Sequence, residues 1–94
     1  RRYNEALAAR EEALEMVTQG YPPGHVRIGQ TLNNLASDLI SLGRTEESLV
    51  RLGEALAILE KELRGAHPTL ASVYNNHARA LADLVDDRRR LRRA

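Results

Sequence analysis

The stretch TLNNLASDLISLG, residues 31–43, holds most of one helix together with its stop signal. With Ile28 just upstream, Leu32, Leu35, Ala36, Leu39 and Leu42 fall at i, i+4, i+7, i+8, i+11 and i+14, a single apolar stripe of helical period. Gly43 stands where a helix commonly ends in a left-handed residue. Asn33 and Asn34 interrupt this pattern. Asparagine is a poor helix former, because its short amide competes with the backbone for hydrogen bonds, so two in a row call for a reason.

The pair returns. Asn75 and Asn76 stand in VYNNHARALADLV, residues 73–85, forty-two positions later. Sliding the whole chain by that period gives fourteen identities over fifty-two overlapping positions. They include the EAL triplets at 12–14 and 54–56, Glu5 with Glu47, Leu7 with Leu49, and His25 with His67. Ala36, Leu39 and Leu42 likewise meet Ala78, Leu81 and Leu84. An internal repeat of this kind signals stacked units that bury their apolar faces on one another.

Every segment of the repeat reads as helix, and no strand pattern appears. Leu49, Leu52, Leu56, Leu59 and Leu63 form a second apolar stripe, followed by Gly65. Pro68 suits the first turn of a further helix, and GYPPGH at 20–25 is the matching loop one unit earlier. The expected helices cover about 3–18, 26–42, 45–64 and 68–84. Beyond Leu84 the sequence DDRRRLRRA has no glycine or proline, and Val85 replaces the turn glycine. A new helix at Asp87 would set Arg88, Arg89 and Arg90 against the positive end of its dipole. A continuous helix from Pro68 past Arg89 instead brings the arginines to a negative end, with Asp86 facing Arg89 and Arg90. The continuous helix is the expectation, although Leu91 matches Leu49 and would suit the start of a separate helix.

TLNNLASDLISLGRTEESLVRLGEALAILEKELRGAHP, residues 31–68, resembles the tetratricopeptide repeat family in the 42-residue form of kinesin light chains. The shared features are the Leu-Asn-Asn-Leu-Ala start, the turn glycine, the Glu-Glu-small-Leu opening of the second helix and the closing His-Pro. Ser48, Leu52, Gly53, Val26 and Val85 depart from the pattern. The resemblance implies an all-α fold of antiparallel helix pairs, A and B, stacked as a short right-handed solenoid. It divides this single domain, 1–94, into a partial repeat 1–24, a full repeat 25–66 and a partial repeat 67–94. It also implies a protein-interaction module rather than an enzyme, binding a peptide or protein partner on the concave face of the A helices. With the apolar stripe pressed on neighbouring helices, that face carries Gln30, Asn33, Asn34 and Ser37, then Ser72, Asn75, Asn76 and Arg79. An amide offers both a donor and an acceptor to the backbone of an extended peptide, and successive A helices lie about 8–10 Å apart. Two competing readings keep the asparagines for the fold itself or leave them as neutral surface, and recognition and fold can divide each pair between them. On each reading they are expected at least partly exposed or paired to neighbouring backbone.

Other chemistries find little purchase. His25 and His67 share one loop position in units spaced about 8–10 Å apart, too far for a metal whose ligands lie near 2 Å, so helix entry explains them better. His77 takes a stripe position held by Leu35 one unit earlier, as a partly buried histidine does. The sequence has no HExxH, phosphate-cradling glycine loop or Ser/His/Asp set, and no cofactor is called for. Glu11, Glu12, Glu46, Glu47 and Glu60 lie at helical spacing with Arg and Lys, as solvated faces do. Net charge is +1, but residues 86–94 carry five Arg against two Asp and leave the rest mildly acidic. That run is the one feature suited to nucleic acid, yet no aromatic is interleaved to stack bases, so nucleic acid is not expected. No apolar run approaches the roughly 20 residues of a membrane span, and there is no cysteine, which fits a reducing, cytoplasmic setting. Thirteen Arg against one Lys is a usage associated with GC-rich bacterial genomes. An architectural role is the alternative to peptide binding: about two and a quarter repeats leave open ends that a homodimer or a helix swap would cover.

Overall fold

Helix α2 (Val26–Ser41) opens on a histidine. His25 is extended, and its Nδ1 accepts the Arg27 N–H at 3.0 Å, taking up one of the donors that every helix start leaves free. The Pro22–His25 turn before it closes with the His25 N–H on the Pro22 carbonyl at 3.1 Å, and Gly24 sits at φ 81°. At the other end Gly43, at φ 78°, donates to the Ile40 carbonyl, while the Arg44 N–H reaches the Leu39 carbonyl at 2.9 Å. That pair of bonds is a Schellman closure. Helix α3 (Thr45–Glu62) follows after three residues. Arg44 clamps Glu47 through Nε (3.1 Å) and Nη2 (2.6 Å) across its first turn.

The computed structural model describes residues 2–65 and 67–93, with side chains from Asn4 onward. The repeat boundaries placed at 1, 66 and 94 therefore lie outside the described residues. Helix α1 (Arg2–Gly20) runs two residues beyond the expected end, and the Tyr21 N–H closes it on the Val17 carbonyl. Helix α3 stops two residues short of its expected limit. Leu63 turns extended (φ −109°, ψ 132°), so Gly65, at φ 72°, shapes the loop and does not cap the helix. Helix α4 (Pro68–Arg93) is one uninterrupted element. Its cap repeats that of α2, with His67 Nδ1 accepting the Thr69 N–H at 3.1 Å. It continues through Val85 because a β-branched residue cannot take the positive φ that Gly43 supplies one unit earlier. The intrahelical pair near its end is Asp87–Arg90 at 4.0 Å rather than the expected Asp86 pairing, and Arg90, Arg92 and Arg93 occupy the dipole-favoured last turn.

Each helix packs on its chain neighbour, and α2 also meets α4. The result is a slab of 47 × 33 × 18 Å, about two helices deep. Its main core joins Ile28, Leu32, Ala36 and Ile40 of α2 to Leu52, Ala55 and Leu59 of α3 and Leu70, Val73 and Ala80 of α4. A smaller cluster, Leu7 with Leu35 and Leu39, fastens α1. Gly29 lets α2 and α3 close up: a Cβ there would stand 2.7 Å from Leu59 Cγ. Among the described residues no strand forms.

Candidate functional site

Where α2 meets α4 the contact is polar. Asn33 and Asn76 are 5% and 7% exposed, and the Asn76 Nδ2 donates to Asn33 Oδ1 at 2.9 Å. Asn33 Nδ2 in turn donates to Ser72 Oγ at 3.1 Å, and Arg79 Nη1 approaches Asn76 Oδ1 at 3.4 Å. A buried amide left unpaired costs about 1–3 kcal/mol, and here every buried side-chain polar atom among the described residues has a partner. The asparagines in a poor helix-forming position thus stitch two helices together.

The stitch is diagonal, which corrects one expectation. Asn33 and Asn76 are not partly exposed or bonded to backbone; each is buried and bonded to the other's side chain. The first asparagine of α2 meets the second of α4, because α4 packs on one flank of α2 only. Asn34 and Asn75 face solvent. An open groove of about 360 Å³ is lined by Gln30, Asn33, Asn34 and Ser72 together with Pro68 and Thr69. Ser37 is half-buried and its carbonyl accepts the Ser41 hydroxyl; Ser37, Asn75, Asn76 and Arg79 lie outside the groove lining. Pro68 and Thr69 escaped the sequence reading. The signal that could have found them is the His-Pro entry, which sets the first turn of α4 beside Asn33 and Asn34.

The remaining candidates resolve into structural parts. His25 and His67 are helix caps, and the His25 ring also stacks on Tyr21 with centroids 4.3 Å apart. His77 is half-buried, and among the described residues no His/Asp/Glu group is placed to hold a metal ion. The Glu47 carboxyl is held below its ordinary range, first by its hydrogen bond from Arg44 and then by the charges of Arg44 and Arg51. Tyr74 donates to Glu60 at 2.7 Å, and that bond pushes its phenol above the usual value. The arginines from Arg88 to Arg93 are exposed along the free end of α4. No helix among the described residues is long and apolar enough to cross a membrane.

The family model for the tetratricopeptide repeat matches residues 1–61 and, a second time, residues 27–88. Comparisons with curated proteins and with solved structures give no significant match. The two family matches together span nearly the whole chain and fall on the stacked helices described above. The chain belongs to the tetratricopeptide repeat family, whose helix-pair stacks are protein-interaction scaffolds and not catalytic domains.

Proposed function

We propose that the α2–α4 groove binds an extended peptide segment of a partner protein, with the partner's backbone held by side-chain amides. The observation that carries this reading is the division of labour among the asparagines. Asn33 and Asn76 are consumed in the buried stitch, which fixes Asn33 in the groove lining, while Gln30 and Asn34 line the groove beside it and Asn75 stands exposed outside it. Amides with spare donors and acceptors suit a peptide backbone, and a lining residue held in place lowers the ordering cost of binding. Ser72 and Arg79 extend the same polar surface along α4. We further infer a 42-residue repeat of the kinesin-light-chain kind, with units 1–24, 25–66 and 67–94. The three-residue link between α2 and α3 supports antiparallel pairs, and a right-handed stack is part of that reading. A cytoplasmic setting fits the cysteine-free sequence. Nucleic acid remains the weaker reading, since no aromatic side chain is interleaved among the arginines.

Selection of a random-peptide phage library on the chain, at concentrations where it is monomeric, tests the groove. Selected peptides should lose at least about tenfold in affinity with Asn34→Ala or Gln30→Ala, which is about 1.4 kcal/mol. The thermal midpoint should stay unchanged. Peptides indifferent to both substitutions, or no peptide at all, would remove the case for this groove.

A further inference from the structure

The polar contact between α2 and α4 is a chain of four side chains, and it has a direction. Arg79 Nη1 donates to Asn76 Oδ1 at 3.4 Å, Asn76 Nδ2 to Asn33 Oδ1 at 2.9 Å, and Asn33 Nδ2 to Ser72 Oγ at 3.1 Å. Every donor points the same way. A carboxamide presents a donor or an acceptor according to how it is turned, so the two asparagines alone would leave the sense of the chain open. Arginine removes the choice. A guanidinium has donors and no acceptor, so the group it meets on Asn76 is the carbonyl oxygen. The Asn76 amino group then faces Asn33, which answers with its own oxygen, and the Asn33 amino group is left for Ser72. Neither amide can turn over alone, because two donors or two acceptors would then meet in a contact whose asparagines are 5% and 7% exposed.

The chain ends on a hydroxyl that lines the groove. A serine oxygen that accepts from Asn33 keeps its own proton to give elsewhere. Thr18, Thr31, Ser41 and Ser48 each donate theirs to a carbonyl three or four residues back in the same helix. Ser72 is exposed, and among the described residues it is bonded through its side chain only as an acceptor. Its proton is free to point into the groove.

We propose that Ser72 selects an acceptor, a backbone carbonyl of the bound peptide, and that Arg79 imposes this choice through the two asparagines. The inference rests on the peptide-binding reading of the groove. Gln30 and Asn34 carry amides that can meet either edge of a peptide, whereas Ser72 is committed to one, so it sets the register. Arg79 lies outside the lining and acts on the ligand only through Asn76, Asn33 and Ser72, which makes it a positioning residue. Its charge also polarises each bond beyond it and strengthens Ser72 as a donor.

Two measurements test the parts. Without ligand, nuclear Overhauser contacts of the Asn33 amide protons read the sense of the chain. The strongest should reach the Ser72 β-protons in the native chain and in Arg79→Lys, which keeps a donor-only group. In Arg79→Glu, which offers only acceptors, both amides should turn over and the strongest contact should move to Asn76. With ligand, a phage-selected peptide is titrated after each of its amides in turn is replaced by a thioamide, a poorer acceptor. One replacement should weaken binding about three- to tenfold in the native chain and in Arg79→Lys, and be silent in Ser72→Ala and Arg79→Glu. Comparing the two peptides within each variant cancels any general loosening of the groove, including the loss of Asn33's partner in Ser72→Ala. A peptide that depends on Asn34 but has no carbonyl tied to Ser72 overturns this inference and leaves the groove standing. Peptides indifferent to Asn34 and Gln30 remove both. An Asn33 contact or a thioamide effect that survives Arg79→Glu overturns the relay.

Discussion

Helices α2 and α4 begin alike and end differently. Both open on a histidine cap, carry a double asparagine and present an apolar stripe on the same side. In α2 that stripe is covered, and Leu32, Ala36 and Leu39 are at most 3% exposed. In α4 the equivalent Tyr74, Ala78 and Leu81 lie open. Gly43 turns the chain back over α2, whereas Val85 carries α4 onward, and α1 adds its own cover at Leu39. In a stacked fold the environment of a residue thus depends as much on the next helix as on its own.

Truncating a leucine under the cover and one outside it should give the largest difference. Leu59→Ala, at a fully buried position, should cost about 2–5 kcal/mol in urea unfolding. Leu81→Ala, measured at dilute concentration, should stay within about 0.5 kcal/mol. Equal losses would mean that the α4 stripe is covered in solution even when the chain is alone.

A smaller effect separates Gly29 from its equivalent, Ala71. Gly29→Ala drives a Cβ into Leu59 and should cost about 1–3 kcal/mol, despite alanine's better helix propensity. Ala71→Gly, on the open face, should cost only the backbone term of about 0.5–1 kcal/mol. A stabilising Gly29→Ala would show that α2 and α3 pack further apart than described.

The smallest change runs the other way. Gly53 lies on the exposed side of α3 with nothing within 4 Å of an added Cβ. Gly53→Ala should therefore raise stability by about 0.5–1 kcal/mol, seen as a higher thermal midpoint.

Periodicity makes α2 and α3 legible in the sequence, because their stripes are long and Gly43 is an unambiguous stop. The continuous α4 is legible too, from the absence of a residue able to turn at 85 and from the direction of the helix dipole. The faces of the asparagines are not. Asn33 and Asn75 are equivalent in sequence, yet one is buried and the other exposed, because only the first has another such helix on the relevant flank. A repeat analysis treats them as the same residue. Neighbour count, which separates them, is a property of the stack. The exit of α3 is also less legible: a glycine at 65 suits a helix stop, but Leu63 is already extended two residues before it.

The division of the core into two clusters has a kinetic consequence. Among the described residues α1 packs on α2, through Leu7, Leu14, Val17 and the Arg10–Asp38 pair, whereas α3 is gripped by α2 on one side and α4 on the other. Opening the molecule from the α1 end sacrifices one interface; opening it in the middle sacrifices two. In a nearest-neighbour stack this sets an order of loss. Amide protons of α1 escape by local detachment, whereas those around Leu52 and Leu59 wait for the whole chain to unravel. Among the described residues, α1 is the helix that detaches at the loss of a single interface.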